Sequence, residues 1–389
     1  MKNESFAATL KKNSMLIILV LVYLFFMVLT KGGIFQSSSF TELINQNAYV
    51  YILGVGMLMC MLTGGNIDLS CGAFVCLLGA IGGMFMIVKG MGTGVSILLL
   101  VLIGVLYGVI LGFLIAYVNI PPWIATLAGF LAFRGLGTSI LSNNSTTGSL
   151  APFPVSFQNV FYGRVFPTNK GVFNIPCFAA GLLAAAVITL VIFLNRKNRI
   201  KKGYEADTIR AACLKSVISD AAVLLVMYKL AWDGGIPTTL LWVAGIVLIY
   251  SFITSKTTIG RHFYVVGGNM EAARLSGVNT RRIMFLAYLN MAVLTAIATF
   301  TVVARSQSAY ADVGKNFEMD AISACVVGGV SATGGAGSVL GMVIGATLIG
   351  IINLGMSLIS LDANYQRVVK GFVLLAAVVF DILSQKKER

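Results

Sequence analysis

Long apolar runs separated by short polar breaks set the plan of this chain. In order they give candidate spans at about 14–30, 47–63, 68–88, 95–118, 123–141, 175–195, 216–231, 238–254, 283–303, 318–334, 338–359 and 365–383. A helix needs roughly 20 apolar residues to cross a hydrocarbon core of about 30 Å, and most of these runs approach that length. Runs this long are not the short alternating segments of a membrane barrel, so they are helices. The pattern predicts an all-α integral membrane protein of about 10–12 transmembrane helices. An even count puts both termini on one side.

Two stretches echo each other inside this pattern. Gly64-Gly65-Asn66-Ile67-Asp68-Leu69-Ser70 opens one span rich in small residues, and Glu318-Met319-Asp320-Ala321-Ile322-Ser323 opens another. Each is followed by glycines four residues apart, Gly104, Gly108 and Gly112 in one half and Gly337, Gly341 and Gly345 in the other. Such ladders let helix backbones approach closely in lipid. By the crossing count Asp68 and Asp320 enter their spans from opposite sides, the parity of an inverted repeat. The expected organisation is a first transmembrane half over 1–195, a basic loop with an inserted weak span over 196–237, and a second half over 238–389. The second half carries a polar loop at 255–282.

Composition agrees with the pattern. Of 389 residues, 58% are hydrophobic and 11% charged, and the mean hydropathy is +0.90, too greasy for a soluble core with a wettable surface. The formal charge of +14 does not point to nucleic acid, because 18 of the 28 Lys and Arg fall in four segments: Lys2–Lys12, Arg196–Lys215, Lys256–Arg282 and Lys386–Arg389. The positive-inside rule puts all four in the cytoplasm, and the long loop 142–174 outside. The six cysteines have no CxxC pairing and read as free thiols.

Catalytic chemistry is missing. No GxxxxGK[ST] phosphate loop occurs and His262 is the single histidine, so the chain neither hydrolyses ATP nor builds a histidine metal site. The informative residues are ionisable groups at membrane depth: Asp68, Arg134, Glu318, Asp320, Arg367, Lys370 and Asp381. Facing lipid, each would cost about 2.5–3.5 kcal/mol on insertion scales, so they turn inward, pair or sit at the interface, the last being expected of Asp381 near the cytoplasmic end. Arg134 is expected to pair with Asp68 or Asp320, and Lys370 with the other. Asn66, Ser70, Ser323, Asn353 and Gln366 are candidate polar contacts for a neutral solute. In the loop, Asn269 can cap a short helix with Glu271, Ala272 and Ala273 in its first turn, followed by Arg274 and ended by Gly277.

These residues lie in strings that resemble one family: GGNIDLSCG at 64–72, ATLAGFLAFRG at 125–135, GRHFYVVGGNMEAARLSGVN at 260–279, DAISACVVGG at 320–329, GGAGSVLG at 334–341 and YQRVVKG at 365–371. Together they resemble the membrane permease subunit of monosaccharide ABC importers of the ribose, xylose and galactose type. The stretch in the middle is similar to the longer xylose or multiple-monosaccharide permeases. The resemblance implies an ABC importer permease fold in a bacterial cytoplasmic (inner) membrane. It also implies a short coupling helix (Asn269, Glu271, Ala272, Ala273, Arg274, Gly277) docked on a partner ATPase, which holds the ATP and Mg; no cofactor would be bound by this chain. An extracellular or periplasmic sugar-binding protein, a homodimer and membrane lipid complete the implied partners. Asn66, Asp68, Ser70, Arg134, Asp320, Ser323 and Lys370 become candidates for the translocation pathway or intramembrane pairs. An ion-coupled secondary transporter of a small polar solute is the alternative.

Overall fold

The computed structural model describes residues 14–206 and 208–386. The basic segment at Lys2–Lys12 and residues 387–389 lie outside them. The described chain is almost entirely helical: α1 Ser14–Leu29, α2 Ser37–Leu62, α3 Cys71–Gly83, α4 Thr93–Ala116, α5 Pro122–Asn144, α6 Val155–Tyr162, α7 Ile175–Lys201, α8 Ile209–Trp232, α9 Thr238–Lys256, α10 Thr258–Gly268, α11 Met270–Leu275, α12 Thr280–Ser306, α13 Phe317–Val327, α14 Val339–Leu358 and α15 Ala363–Lys386. Among the described residues nine helices are long and apolar enough to cross a membrane. A π-helical turn, Met84–Val88, extends α3 to 18 residues.

Three of the twelve expected spans are not among the nine, those at 14–30, 318–334 and 365–383. The helix of α1 has 16 residues. The stretch expected as one span over 318–334 is an 11-residue helix, α13, that stops at Val327 and gives way to a glycine-rich loop. The span expected from 68 begins at Cys71, after a non-helical stretch over 64–70. In the middle of the chain, α7 runs unbroken through the basic residues to Lys201 and packs on α8 as a hairpin. The break expected at 195/196 therefore falls inside a helix.

The central layer is α2, buried along most of its length, flanked by α12, α13 and α14. The first glycine ladder seats α4 on α12: a Cβ at Gly108 would lie 2.8 Å from the Leu289 Cα, and one at Gly112 would lie 2.9 Å from the Phe285 carbonyl. In the second half, Gly341 and Gly345 let α14 lie on the carbonyls of Gly328 and Ala324 at the end of α13. In both places backbone contact replaces the side-chain burial that drives packing in water. The outer faces of α4, α5, α7, α8 and α9 carry exposed Leu, Ile, Val and Phe, a surface suited to lipid.

The two ends of the bundle differ. At one end lie α10, α11 and the basic residues. At the other, two short antiparallel pairs tie loops together: β1 (Ser149–Leu150) with β4 (Ala309–Tyr310), and β2 (Arg164–Val165) with β3 (Ile236–Pro237). Asp233 pins the second pair, bonding Arg164 at 2.9 Å and Lys170 at 3.5 Å.

Candidate functional site

The first turns of α3 and α13 meet in the middle of the bundle. Gly72, in the first turn of α3, lies against the backbone of Gly314, so that a Cβ on either would strike the other's carbonyl. From this crossing α3 runs toward the β-paired end, where Gly83 touches Leu150, and α13 runs toward the basic end. Two interrupted helices thus start from one crossing and diverge, each preceded by irregular chain. Non-helical backbone at membrane depth is tolerated where protein surrounds it.

Ionisable and polar side chains gather here. Asp68 accepts from the Ser70 N–H at 2.8 Å and the Ser70 hydroxyl at 2.5 Å, and the Tyr107 hydroxyl stands 2.6 Å from Ser70 Oγ. Asp320 accepts from Lys370 Nζ at 2.9 and 3.0 Å and from the Tyr49 hydroxyl at 2.6 Å. Tyr49 is halfway along α2, which fixes the depth of this cluster, and its ring stacks on Phe317 at 3.7 Å. Ser323 is buried on α13. Asn353 is buried on α14 with its Oδ1 unpartnered, and Gln366 donates to the Leu361 carbonyl.

Arg134 corrects the sequence expectation. It bonds neither Asp68 nor Asp320 but donates Nη1 to the carbonyls of Ala311 and Val313, at 2.9 and 2.8 Å. The irregular chain before α13 exposes carbonyls that no helix satisfies, and the guanidinium answers them. Arg134 Nη2 and Glu318 Oε2 are both buried without a hydrogen-bond partner. An unmet buried polar atom costs about 1–3 kcal/mol. The crossing thus holds one unanswered donor and one unanswered acceptor, and the Glu318 oxygen faces Gly72, where a Cβ would strike it. Among the described residues no cluster of His, Cys, Asp and Glu has metal-binding geometry.

Asp220 adds a half-buried carboxylate away from the crossing. It sits halfway along α8 and accepts from Thr189 at 2.6 Å and Ser216 at 3.1 Å. The readable signal is Ser216 and Asp220 four apart on one face of an otherwise apolar run.

At the basic end, Asn269 Oδ1 accepts from the Ala272 N–H at 2.9 Å and caps α11, and Gly277 follows with φ +84°. Ala273 is fully buried, whereas Leu275 is 84% exposed beside Glu271 and Arg274, which pair at 3.4 Å. The preceding residues 258–268, expected as turn, form α10 because Phe263 and Val266 bury one face.

Three glycine pairs meet behind α11. Gly64-Gly65, Gly267-Gly268 and Gly334-Gly335 lie backbone on backbone, and the Gly335 N–H donates to the Leu62 carbonyl at 3.2 Å. A Cβ at Gly65 would strike the Ala332 carbonyl, one at Gly267 the Leu62 carbonyl, and one at Gly335 would lie 2.8 Å from Gly268. The loops leading away from α2 and α13 therefore both abut the start of α11.

The family described as branched-chain amino acid transport system / permease component matches residues 39–378. The xylose transport system permease protein of Haemophilus influenzae is 34% identical over 377 residues, covering 96% of this chain and 96% of that protein. Its Escherichia coli K12 counterpart is 32% identical over 374 residues, covering 96% and 92%. The ribose import permease protein of Bacillus subtilis is 32% identical over 341 residues, covering 87% and 83%. No solved structure gives a significant match.

Proposed function

Because the chain belongs to the branched-chain amino acid transport system / permease component family, we propose that it is the membrane subunit of an ATP-driven ABC importer. Its cargo is a monosaccharide, xylose or a mixed pentose and hexose set, handed over by an external binding protein and released to the cytoplasm. Near full-length similarity to xylose permeases supports a sugar over an amino acid. The charge distribution supports a place in the bacterial cytoplasmic membrane with both termini, α10 and α11 inside. Two copies of the chain and two ATPase domains form the working unit.

The observation that carries this reading is α11. A six-residue helix held by a cap and a buried alanine, yet presenting Leu275 almost bare, is built to be gripped from outside. Closure of the ATPase on ATP moves α11, and the glycine junction behind it passes that movement to the loops after α2 and α13. Rigid elements then shift against one another, and the crossing of α3 and α13 opens to one side or the other.

The test is uptake into proteoliposomes. Labelled xylose, ribose and glucose are offered with the binding protein outside and ATP inside. Uptake is expected only with the ATPase present, and Glu271→Arg or Leu275→Asp should cut it at least tenfold while the protein stays in the membrane. The buried, unpartnered Glu318 oxygen favours a second reading, ion-coupled transport. Uptake driven by an ion gradient without any ATPase would establish that instead.

A further inference from the structure

The basic end holds a cavity of about 410 Å³, within the ~300–1,000 Å³ range of small-molecule sites. Three connections and the helices beside them wall it. The loop after α2 supplies Thr63 and Asn66, the link between α4 and α5 supplies Asn119, and the joint between α10 and α11 supplies Gly267, Gly268 and Asn269.

Its chemistry is specific in kind. No ionised side chain lines it, whereas a neighbouring cavity of about 210 Å³, sharing Ile115, Asn119, Met270 and Met284, is lined by Glu271, Arg274 and Arg281. The polar side chains around the first cavity are three carboxamides and the Thr63 hydroxyl, which is spent on the Cys60 carbonyl and on Asn66. Asn119 donates Nδ2 to the Tyr117 carbonyl at 3.4 Å, which leaves its Oδ1 as an acceptor. Asn66 commits its Nδ2 to Thr63 and Met284, which leaves Oδ1 as an acceptor. Asn269 commits Oδ1 to the Ala272 N–H, which leaves its Nδ2 as a donor. Met284, Ile115 and Val266 add apolar wall. Carboxamide donors and acceptors beside an apolar face match a ring of hydroxyls with C–H faces.

We propose that this cavity binds a neutral polyhydroxyl solute, the monosaccharide released on the cytoplasmic side, and that its occupant slows the next transport cycle. The inference rests on the importer reading. A solute seated here touches the loop after α2, the head of α5 and the base of α11 at once. These are the parts the glycine junction must let slide, and a ligand that binds one arrangement better than another holds the protein in it.

The experiment uses the complete importer in proteoliposomes, with ATP and graded unlabelled xylose sealed inside and labelled xylose with the binding protein outside. Each initial rate is expressed relative to the same variant's rate without internal sugar. The expected result is a rate that falls several-fold as internal xylose rises. Asn119→Gly removes one carboxamide while suiting the left-handed backbone there, φ +64°. It should raise the half-inhibitory concentration about fivefold, the factor that one net hydrogen bond is worth. Met284→Trp, which fills the cavity from α12, should act in the same direction. Indifference of the wild-type rate to internal xylose overturns the proposal, as does equal inhibition in wild type and both variants. Absence of ATP-dependent uptake of any sugar overturns the importer reading as well, and is distinguished by failing before internal sugar is added.

Discussion

Asp320 and Lys370 show how far single residues are readable from sequence. Two opposite charges in apolar runs each call for a partner, and the pair forms at 2.9 Å with Asp320 5% exposed. Lys370→Met leaves that carboxylate with Tyr49, and removing one partner of a buried pair destabilises by about 3–5 kcal/mol. The Asp320→Asn/Lys370→Met double variant should recover much of the loss in thermal unfolding of the detergent-solubilised protein. A double variant no more stable than the single would refute the pairing. Arg134 was not readable in the same way, because its partners are backbone carbonyls, which carry no residue letter. At the β-paired end Asp233 is governed by pH. Burial alone would raise its carboxyl, but hydrogen bonds and charge from Arg164, with Lys170 nearby, hold it below its ordinary value. A depressed folded value means stability that is full above the unfolded value of about 3.9 and fades as pH falls through the folded one. The gap in melting temperature between wild type and Asp233→Asn should therefore be widest near neutrality and close in acid. Widening of that gap on acidification would contradict the assignment.

At the scale of elements, α11 was legible because capping is local chemistry: Asn269, the acidic and alanine-rich first turn and Gly277 spell both ends of the helix. Asn269→Ala should weaken the cap by about 1 kcal/mol and lower uptake, with Asn269→Asp restoring it, as read in the proteoliposome assay. Recovery by Asp but not by Gln would tie the effect to capping geometry. The interruptions before α3 and after α13 were only half legible. Gly64-Gly65 and Gly334-Gly335 announce irregular chain, but nothing local says that the two pairs touch each other and Gly267-Gly268. That contact comes from tertiary packing across more than 200 residues of chain. Gly65→Ala, facing the Ala332 carbonyl at φ +74°, should abolish transport in assembled importer even where the protein inserts normally. Transport at the wild-type rate would show that the junction tolerates side chains.

For the whole molecule, hydropathy located every long helix and missed how two of them associate. Residues 175–232 form one hairpin whose inner contact includes Asp220, Thr189 and Ser216, so this hairpin has a polar seam of its own. Sidedness can be read through a natural label. Cys213 is exposed while the other five cysteines are buried, and it lies just after the basic stretch of the α7–α8 turn. A membrane-impermeant maleimide should therefore modify inverted vesicles and spare intact spheroplasts. Labelling from the outer face would invert the topology.

The meeting of three glycine pairs has a bearing on how such a machine can diversify. Where main chain rests on main chain, there is no side chain to trade, so variation at that seam can break the linkage but not adjust it. On the importer reading, this separates cargo preference from motive force: side chains around the α3 and α13 crossing could be exchanged for a new solute while the seam behind α11 stays as it is.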